Sequence, residues 1–268
     1  MLARLRADSG LTREQVADYV GIGAVTITRI ESCKTPAKPA DVAMMGKLYE
    51  LGEEETEALV ALARQARKRG WWQQYGDAFP AWFEVYVGLE EEASKIRSWQ
   101  PELVPGLLQS PGYARALILA EPEVPVEEEI ERRLAVRAKR QDLLSAVDAP
   151  QMHVVVSEGA LRQKIGGPEV MREQLRRLGA ACDQDSMAIQ VLPFDAGAHP
   201  AMQSGFHLLS FVEPDPTVAH IAYRTGGLYL EQPSEVDVYE DLFDRLCAKA
   251  LDAEASRTLI ERIAAEMS

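Results

Sequence analysis

Apolar residues recur at helical spacing through the first 70 positions of the chain. Small Ala17 precedes Gly21 by four residues, so two helices can approach closely around a tight turn there. The spacing of three and four residues between apolar positions is typical of amphipathic helices. The inward face over residues 11–31 comprises Val16, Val20, Ile22, Ile27 and Ile30. The pattern predicts a helix-turn-helix, a motif that places its second helix in the major groove of DNA.

Five helices are predicted in this first part of the chain. Thr12 and Gln15 fit a capping box, which would open the second helix. Pro36 and Pro39 end the third helix and admit a fourth. The predicted helices cover residues 1–9, 12–20, 23–31, 40–49 and 53–69.

The pattern changes after Pro150 to short segments rich in β-branched and aromatic residues, which are typical of strands. Together with a short segment before Pro101, they predict strands at 96–99, 152–157, 187–192, 206–212, 218–223 and 228–230. Helices are predicted at 80–92, 111–120, 125–146, 168–182, 234–250 and 253–267. The fold class is therefore α+β, with a five-helix helix-turn-helix domain at 1–70, a linker at 71–80, and at 81–268 a mixed, mainly antiparallel sheet covered by helices.

A helical projection of residues 23–31 predicts which side chains would meet DNA. Val25, Thr28, Arg29 and Ser32 lie opposite the buried face, with Ala24 at its edge. Val25 and Ala24 could touch thymine methyls, Thr28 could reach a base or a phosphate, and Arg29 could reach guanine or phosphate. The alternative is that Arg29 is solvated, or pairs with Glu31 or Asp18.

Three more residues are predicted to contact phosphate, which positions a protein without reading sequence. They are Arg13, Thr26 and Lys34. Gly23 is a weaker helix cap than serine or asparagine, and the reading face has no glutamine or asparagine. The sequence is therefore also compatible with a domain that binds DNA weakly or recognises a narrow range of sequences, or with a degenerate DNA-binding domain.

The net charge of −13 is unfavourable for a nucleic-acid binder, because phosphates repel an acidic surface. The acid is concentrated in the second part of the chain. Residues 1–70 hold 11 Lys and Arg against 10 Asp and Glu, whereas residues 71–268 hold 18 against 32. The first part is weakly basic, so its nonspecific affinity for DNA should be modest and sensitive to salt.

Other classes of protein receive little support from the residues. Cys33, Cys182 and Cys247 are far apart and have no zinc-ligand spacing, and the histidines share none. No catalytic constellation stands out, and Ser157 before Glu158 is a better helix cap than a nucleophile. No run of 18 apolar residues occurs, so we expect no membrane span, no metal, no cofactor and a cytoplasmic location.

An effector site is predicted in the second part, where aromatic residues gather near irregular, proline-punctuated chain. Its candidate residues are Trp82, Tyr86, Trp99, Leu107, Gln109 and Tyr113. The alternative is an ordinary hydrophobic core. Dimer contacts are predicted from the last two helices, at Leu242, Phe243, Leu246, Leu251, Leu259, Ile260 and Ile263, with core packing as the alternative.

The layout resembles a large actinobacterial group of regulators with a xenobiotic-response-element-type helix-turn-helix and an uncharacterised C-terminal domain. The resemblance rests on Leu11–Glu31, Trp99–Ala116 and Gly166–Leu178. In this group Gly23 is usually serine and Cys33 usually glycine. The resemblance implies antitoxin-like transcriptional regulators, often paired with a small partner protein.

Three functions are compatible with these observations. The leading hypothesis is a dimeric, sequence-specific DNA-binding regulator whose second domain senses a ligand or a protein. The second is an antitoxin-like module that neutralises a small partner encoded nearby, with weak or no DNA binding. The third, an enzyme, is disfavoured because no nucleophile–base pair or metal set is visible.

Overall fold

The computed structural model describes residues 1–31, 37–65, 71, 80–212 and 215–267. The chain divides into two compact units, residues 1–73 and 74–268. Each unit has its own hydrophobic core.

The described part of the first unit contains five helices. They are α1 (Leu2–Asp8), α2 (Arg13–Val20), α3 (Ala24–Glu31), α4 (Pro39–Leu48) and α5 (Glu53–Gln65). The predicted apolar face forms the core, where Val16, Ala17, Ile27 and Ile30 pack with Met45. The predicted helix at 53–69 is described only to residue 65. The five-helix prediction is confirmed over the described residues.

The second unit has helices around one sheet. Its helices are α6 (Ala81–Glu92), α7 (Pro111–Leu119), α8 (Glu127–Gln141), α9 (Glu158–Arg162), α10 (Pro168–Ala181), α11 (Pro233–Lys249) and α12 (Ala253–Glu266). Its strands are β1 (Lys95–Gln100), β2 (Gln151–Ser157), β3 (Met187–Leu192), β4 (Phe206–Ser210), β5 (Val218–Tyr223) and β6 (Gly226–Leu230). The predicted helix at 125–146 is shorter, because the chain tightens into a 3₁₀ turn at Asp142–Ser145.

The sheet is mixed, with strand order β3-β2-β1-β4-β5-β6. The pairs β1–β2 and β2–β3 are parallel, and the pairs β1–β4, β4–β5 and β5–β6 are antiparallel. The predicted α+β class and the mainly antiparallel sheet are therefore confirmed. Ser157 caps α9 as predicted, since its hydroxyl accepts a hydrogen bond from the Ala160 N–H.

Side chains along each strand point alternately to the two faces of the sheet, so the core is divided between these faces. On one face, Ile96 and Val154 pack with residues of α6, α7, α10 and α12. On the other, Trp99 and Val155 pack with residues of α11. Because neighbouring residues of a strand point to opposite faces, Trp99 is separated by the sheet from Ile96.

The last two helices supply core residues rather than an exposed apolar face. Phe243, Leu246, Leu259, Ile260 and Ile263 are all buried within the single chain. Leu242 and Leu251 are partly buried and pack against the same cores. The prediction that this set makes the dimer contacts is therefore wrong, because these side chains cover the two faces of the sheet within a single chain.

Candidate nucleic-acid interface

The turn between α2 and α3 is built by short-range interactions. Thr12 caps α2: its hydroxyl accepts from the Gln15 N–H, and the Gln15 side chain accepts from the Thr12 N–H. Gly21 ends α2 in the left-handed region at φ 75°, which glycine adopts without strain. The N–H groups of Gly21 and Ile22 both donate to the Ala17 carbonyl. These contacts fix the direction in which α3 leaves the turn.

The predicted reading face of α3 is exposed to solvent. Val25 keeps 73% of its surface accessible, although valine gains stability when buried. Thr28 and Arg29 are exposed on the same face, while Ala24 and Thr26 are half-buried. The Thr28 hydroxyl donates to the Ala24 carbonyl at 3.1 Å, which orients it along the helix. Ser32 and Lys34 lie outside the described residues.

A buried carboxylate ties α3 to the two helices before it. Glu31 accepts from Arg6 Nε at 2.5 Å and from Arg13 Nε at 2.7 Å, and its side chain is only 4% exposed. Burial alone would raise the pKa of Glu31, but the hydrogen bonds and charges of the two arginines lower it overall. The network holds Arg13, predicted to contact phosphate, beside the end of α3 with 46% of its side chain exposed.

The predicted effector residues are placed in the interior, on two sides of the sheet. Tyr86, Leu107 and Tyr113 belong to one core, whereas Trp99 belongs to the other. Trp99 Nε1 donates to the Ala201 carbonyl at 2.9 Å, and the Tyr113 hydroxyl accepts from the Val104 N–H. Trp82 is half-buried, and its carbonyl accepts from the Tyr229 hydroxyl. The predicted effector residues therefore do not line a single pocket, because the sheet separates Trp99 from the others.

A buried ionic cluster, formed by Glu90, Arg137 and Arg140, was missed by sequence reasoning. It lies beside three of the predicted effector residues, Tyr86, Gln109 and Tyr113. Glu90 on α6 accepts from Arg140 Nε at 2.7 Å and from Nη2 at 2.8 Å. The Arg140 guanidinium also lies 4.9 Å from the Phe83 ring centroid and 5.6 Å from that of Tyr86. Bidentate pairing of this kind fixes both distance and orientation.

Arg137 adds a second cation to the cluster. It donates to the side chain of Gln109, whose amide in turn donates to the Val104 carbonyl at 2.7 Å. Burial and the neighbouring charge of Arg140 lower the pKa of Arg137 to about 10, so it stays charged at neutral pH. Gln109, predicted to bind an effector, instead links a buried guanidinium to the irregular segment before α7.

Two histidines pack next to this cluster as neutral groups. The rings of His207 and His220 stack at 5.9 Å, and His220 lies between Tyr86 and Tyr229 at 4.6 and 4.7 Å. Burial, with the nearby charge of Arg140, lowers the pKa of His207 to about 4. Burial and His207 lower the pKa of His220 to about 3. Both rings are therefore uncharged at neutral pH.

The cysteines of the described region are not activated. Cys247 Sγ lies 3.7 Å from His153 Nε2, but burial raises the pKa of its thiol to about 11. Burial likewise raises the pKa of Cys182. Cys33 lies outside the described residues. A thiolate is the reactive form of cysteine, so these environments disfavour nucleophilic chemistry.

Family models match both parts of the chain. A helix-turn-helix domain matches residues 1–59. A domain of unknown function, DUF5753, matches residues 83–262. The chain belongs to the DUF5753 family. The resemblance to helix-turn-helix regulators with an uncharacterised second domain is thus confirmed at that level, while actinobacterial origin and antitoxin-like character stay predictions.

The matches place the exposed face of α3 within a recognised DNA-binding motif and the buried ionic cluster within the DUF5753 domain. No curated protein and no solved structure matches the chain. Among the described residues, no helix is long and apolar enough to cross a membrane. Within the same residues, no group of three His, Cys, Asp or Glu side chains could hold a metal ion.

Proposed function

We propose that the chain is a sequence-specific transcriptional regulator in which α3 reads the major groove and the DUF5753 domain senses a ligand or a protein. The observation that carries this proposal is the exposure of Val25 beside Thr28 and Arg29 on one face of α3. An exposed valine gives the folded domain little stability, but it is well suited to contact a thymine methyl group.

The surroundings of α3 support a role in binding rather than in folding alone. The capping box at Thr12 and the contacts of Glu31 hold both ends of the motif, so the helix is already ordered before it meets DNA. A preorganised surface loses less entropy on binding. Arg13 and Thr26 would contact phosphates on either side of the reading helix, as would Lys34, which lies outside the described residues.

A homodimer is part of this proposal, because a single recognition helix reads too few base pairs to specify one site. Two copies related by a two-fold axis would read half-sites about one helical turn apart. Light scattering on the full chain, with and without DNA, tests this. A monomer at micromolar concentration under both conditions would contradict it.

The DUF5753 domain acts, in this proposal, by binding and not by catalysis. Among its described residues, Cys247 lies 3.7 Å from His153 as a nucleophile would lie near a base, but burial raises the pKa of the thiol to about 11. Such a thiol is protonated at neutral pH and attacks poorly. The acidic surface of this large domain would not contact phosphates, because like charges repel. Its charge therefore fits a domain that controls DNA binding by the first unit.

The test is a titration of labelled upstream DNA with the full chain and two variants. Arg29→Ala should weaken binding to the native site by about 1–3 kcal/mol if Arg29 contacts a base. Arg4→Ala is the matched control, since Arg4 is an exposed arginine whose ion-pair partner, Asp8, belongs to the same helix, α1. Unchanged affinity of Arg29→Ala would exclude that role, and failure of the folded full chain to bind any upstream DNA would overturn the proposal.

A further inference from the structure

A groove of about 670 Å³ runs between α10 and α12 on the surface of the DUF5753 domain. Arg257 Nη1, near the start of α12, lies 2.5 Å from Asp183 after the end of α10. Arg172, near the start of α10, donates to the Met267 carbonyl at the end of α12. The two helices are therefore antiparallel. The floor between these ends consists of Leu175, Gly179, Ala180, Ala264 and Ala265.

The floor is open at Gly179. A Cβ atom built there would meet no described atom within 4 Å, so close packing does not explain a glycine inside this helix. Glycine in a helix costs stability relative to alanine. Ala180, the next residue of α10, is exposed, and so is Ala265 on the α12 side of the groove. The groove is thus a concave apolar strip, and its volume lies in the range that is common for small-molecule sites.

Charge is distributed unevenly along the groove. At one end, Arg257 is neutralised, since it pairs with Asp183 and with Glu261 at 3.0 Å. Towards the other end, Arg172 and Arg176 follow each other by one helical turn. Neither makes an ion pair with a carboxylate in the described part of the chain, and Arg176 is exposed. Like charges four residues apart on a helix destabilise it, and an anion placed between them would relieve the repulsion.

We infer that this groove binds a small anionic ligand with an apolar body, such as a carboxylic acid with a hydrocarbon tail. The anionic group would lie at Arg176, with the charge of Arg172 one helical turn away, and the tail would cover Gly179 and Ala180. Planar guanidinium groups bind carboxylates with paired hydrogen bonds, which would give this end its selectivity. Arg176 would supply them, because Nε and Nη2 of Arg172 already donate to the Met267 carbonyl. The inference deepens the proposed function, because such a ligand would be the effector that the second domain senses.

Calorimetric titration of the full chain with decanoate, below its micellar concentration, tests the site. Decan-1-ol serves as the uncharged probe. Arg176→Gln removes the exposed guanidinium, and Gly179→Leu places a bulky side chain over the open floor, where its Cβ meets no described atom within 4 Å. Arg224→Gln is the matched control, because Arg224 is an exposed arginine in the turn between β5 and β6. Thermal melts of each variant establish that it is folded.

Wild type and Arg224→Gln should bind decanoate equally, and decan-1-ol should bind more weakly. Arg176→Gln should weaken decanoate binding by about tenfold or more, the loss typical of a charge-assisted hydrogen bond. Gly179→Leu should abolish binding. Absence of binding by wild type, or equal binding by all four proteins, would overturn the site.

Because no DNA is present in this titration, its failure would leave the reading role of α3 intact, and failure of DNA binding would leave the groove intact. Decanoate binding that leaves DNA affinity unchanged would refute the effector role alone.

Discussion

Glu90→Gln would remove the charge that neutralises Arg140 between α6 and α8. The two side chains are 3% and 7% exposed and share two hydrogen bonds, so solvent cannot replace the lost carboxylate. Removing one partner of a buried ion pair costs about 3–5 kcal/mol. The neighbouring charge of Arg137 adds to the penalty, since two guanidinium groups would then lie together without an acid.

Urea unfolding of the full chain, followed by tryptophan fluorescence with its contribution from buried Trp99, measures this loss. Thermal unfolding is a second measure of the same loss. Its midpoint should fall by roughly 6–20 °C, at about 2–4 °C per kcal/mol for a domain of this size. Asp241→Asn is the control. It breaks an exposed pair with Arg245, whose side chains are 58% and 65% exposed, and should cost about 0.5 kcal/mol or less.

A paired replacement checks the cause. Glu90→Leu combined with Arg140→Met removes both charges and keeps apolar volume, so it should recover most of the stability that Glu90→Gln loses. A loss for Glu90→Gln that is no larger than that of Asp241→Asn would refute the reasoning, because the pair would then behave as a solvated one.

Three further predictions concern other parts of the chain. Lowering the pH from 6.5 towards 4 should destabilise the DUF5753 domain by about 1.4 kcal/mol per pH unit for each of His207 and His220. In this range both histidines bind a proton in the unfolded chain but stay neutral in the folded domain. His220→Phe should remove about half of that slope in urea titrations across this range, and an unchanged slope would exclude the histidines as its cause. Gly179→Ala should raise the free energy of unfolding by about 0.5–1 kcal/mol, because the helix gains propensity and the new methyl group meets open space; a decrease would contradict the open floor. Glu31→Gln should lower the melting temperature of the first unit, measured by circular dichroism, because Arg6 and Arg13 lose their shared acceptor; an unchanged value would show that the network contributes nothing.

The first unit could be predicted from the sequence because its structure is decided by short-range rules. The capping box at Thr12, the left-handed turn at Gly21 and the apolar positions of α2 and α3 all lie within twenty residues. Local hydrogen bonds and helical periodicity fix such elements almost independently of the rest of the chain. The strands were also predictable, since their alternation and β-branched residues mark them.

The interior of the second unit was harder to predict, because it depends on residues far apart in sequence. Glu90 and Arg140 are 50 positions apart, and Glu90 sits in an acidic run that is typical of a solvated helix end. One signal was available: Arg140 follows the buried Val136 by four residues, which places a charge on the core side of α8. Likewise, the side of the sheet that Trp99 faces is set by register and not by local pattern.

Selection of duplexes from a random library by the full chain shows directly whether α3 reads a DNA sequence. If two copies of α3 read the major groove, the selection should enrich a pseudo-palindromic motif with two half-sites about one helical turn apart. Val25→Asp should abolish enrichment, because an added carboxylate on the reading face would repel the phosphates and lose the methyl contact. The variant should still melt like wild type, since Val25 is exposed. Enrichment of the same motif by wild type and Val25→Asp, or no enriched motif with either, would contradict the claim that α3 reads DNA.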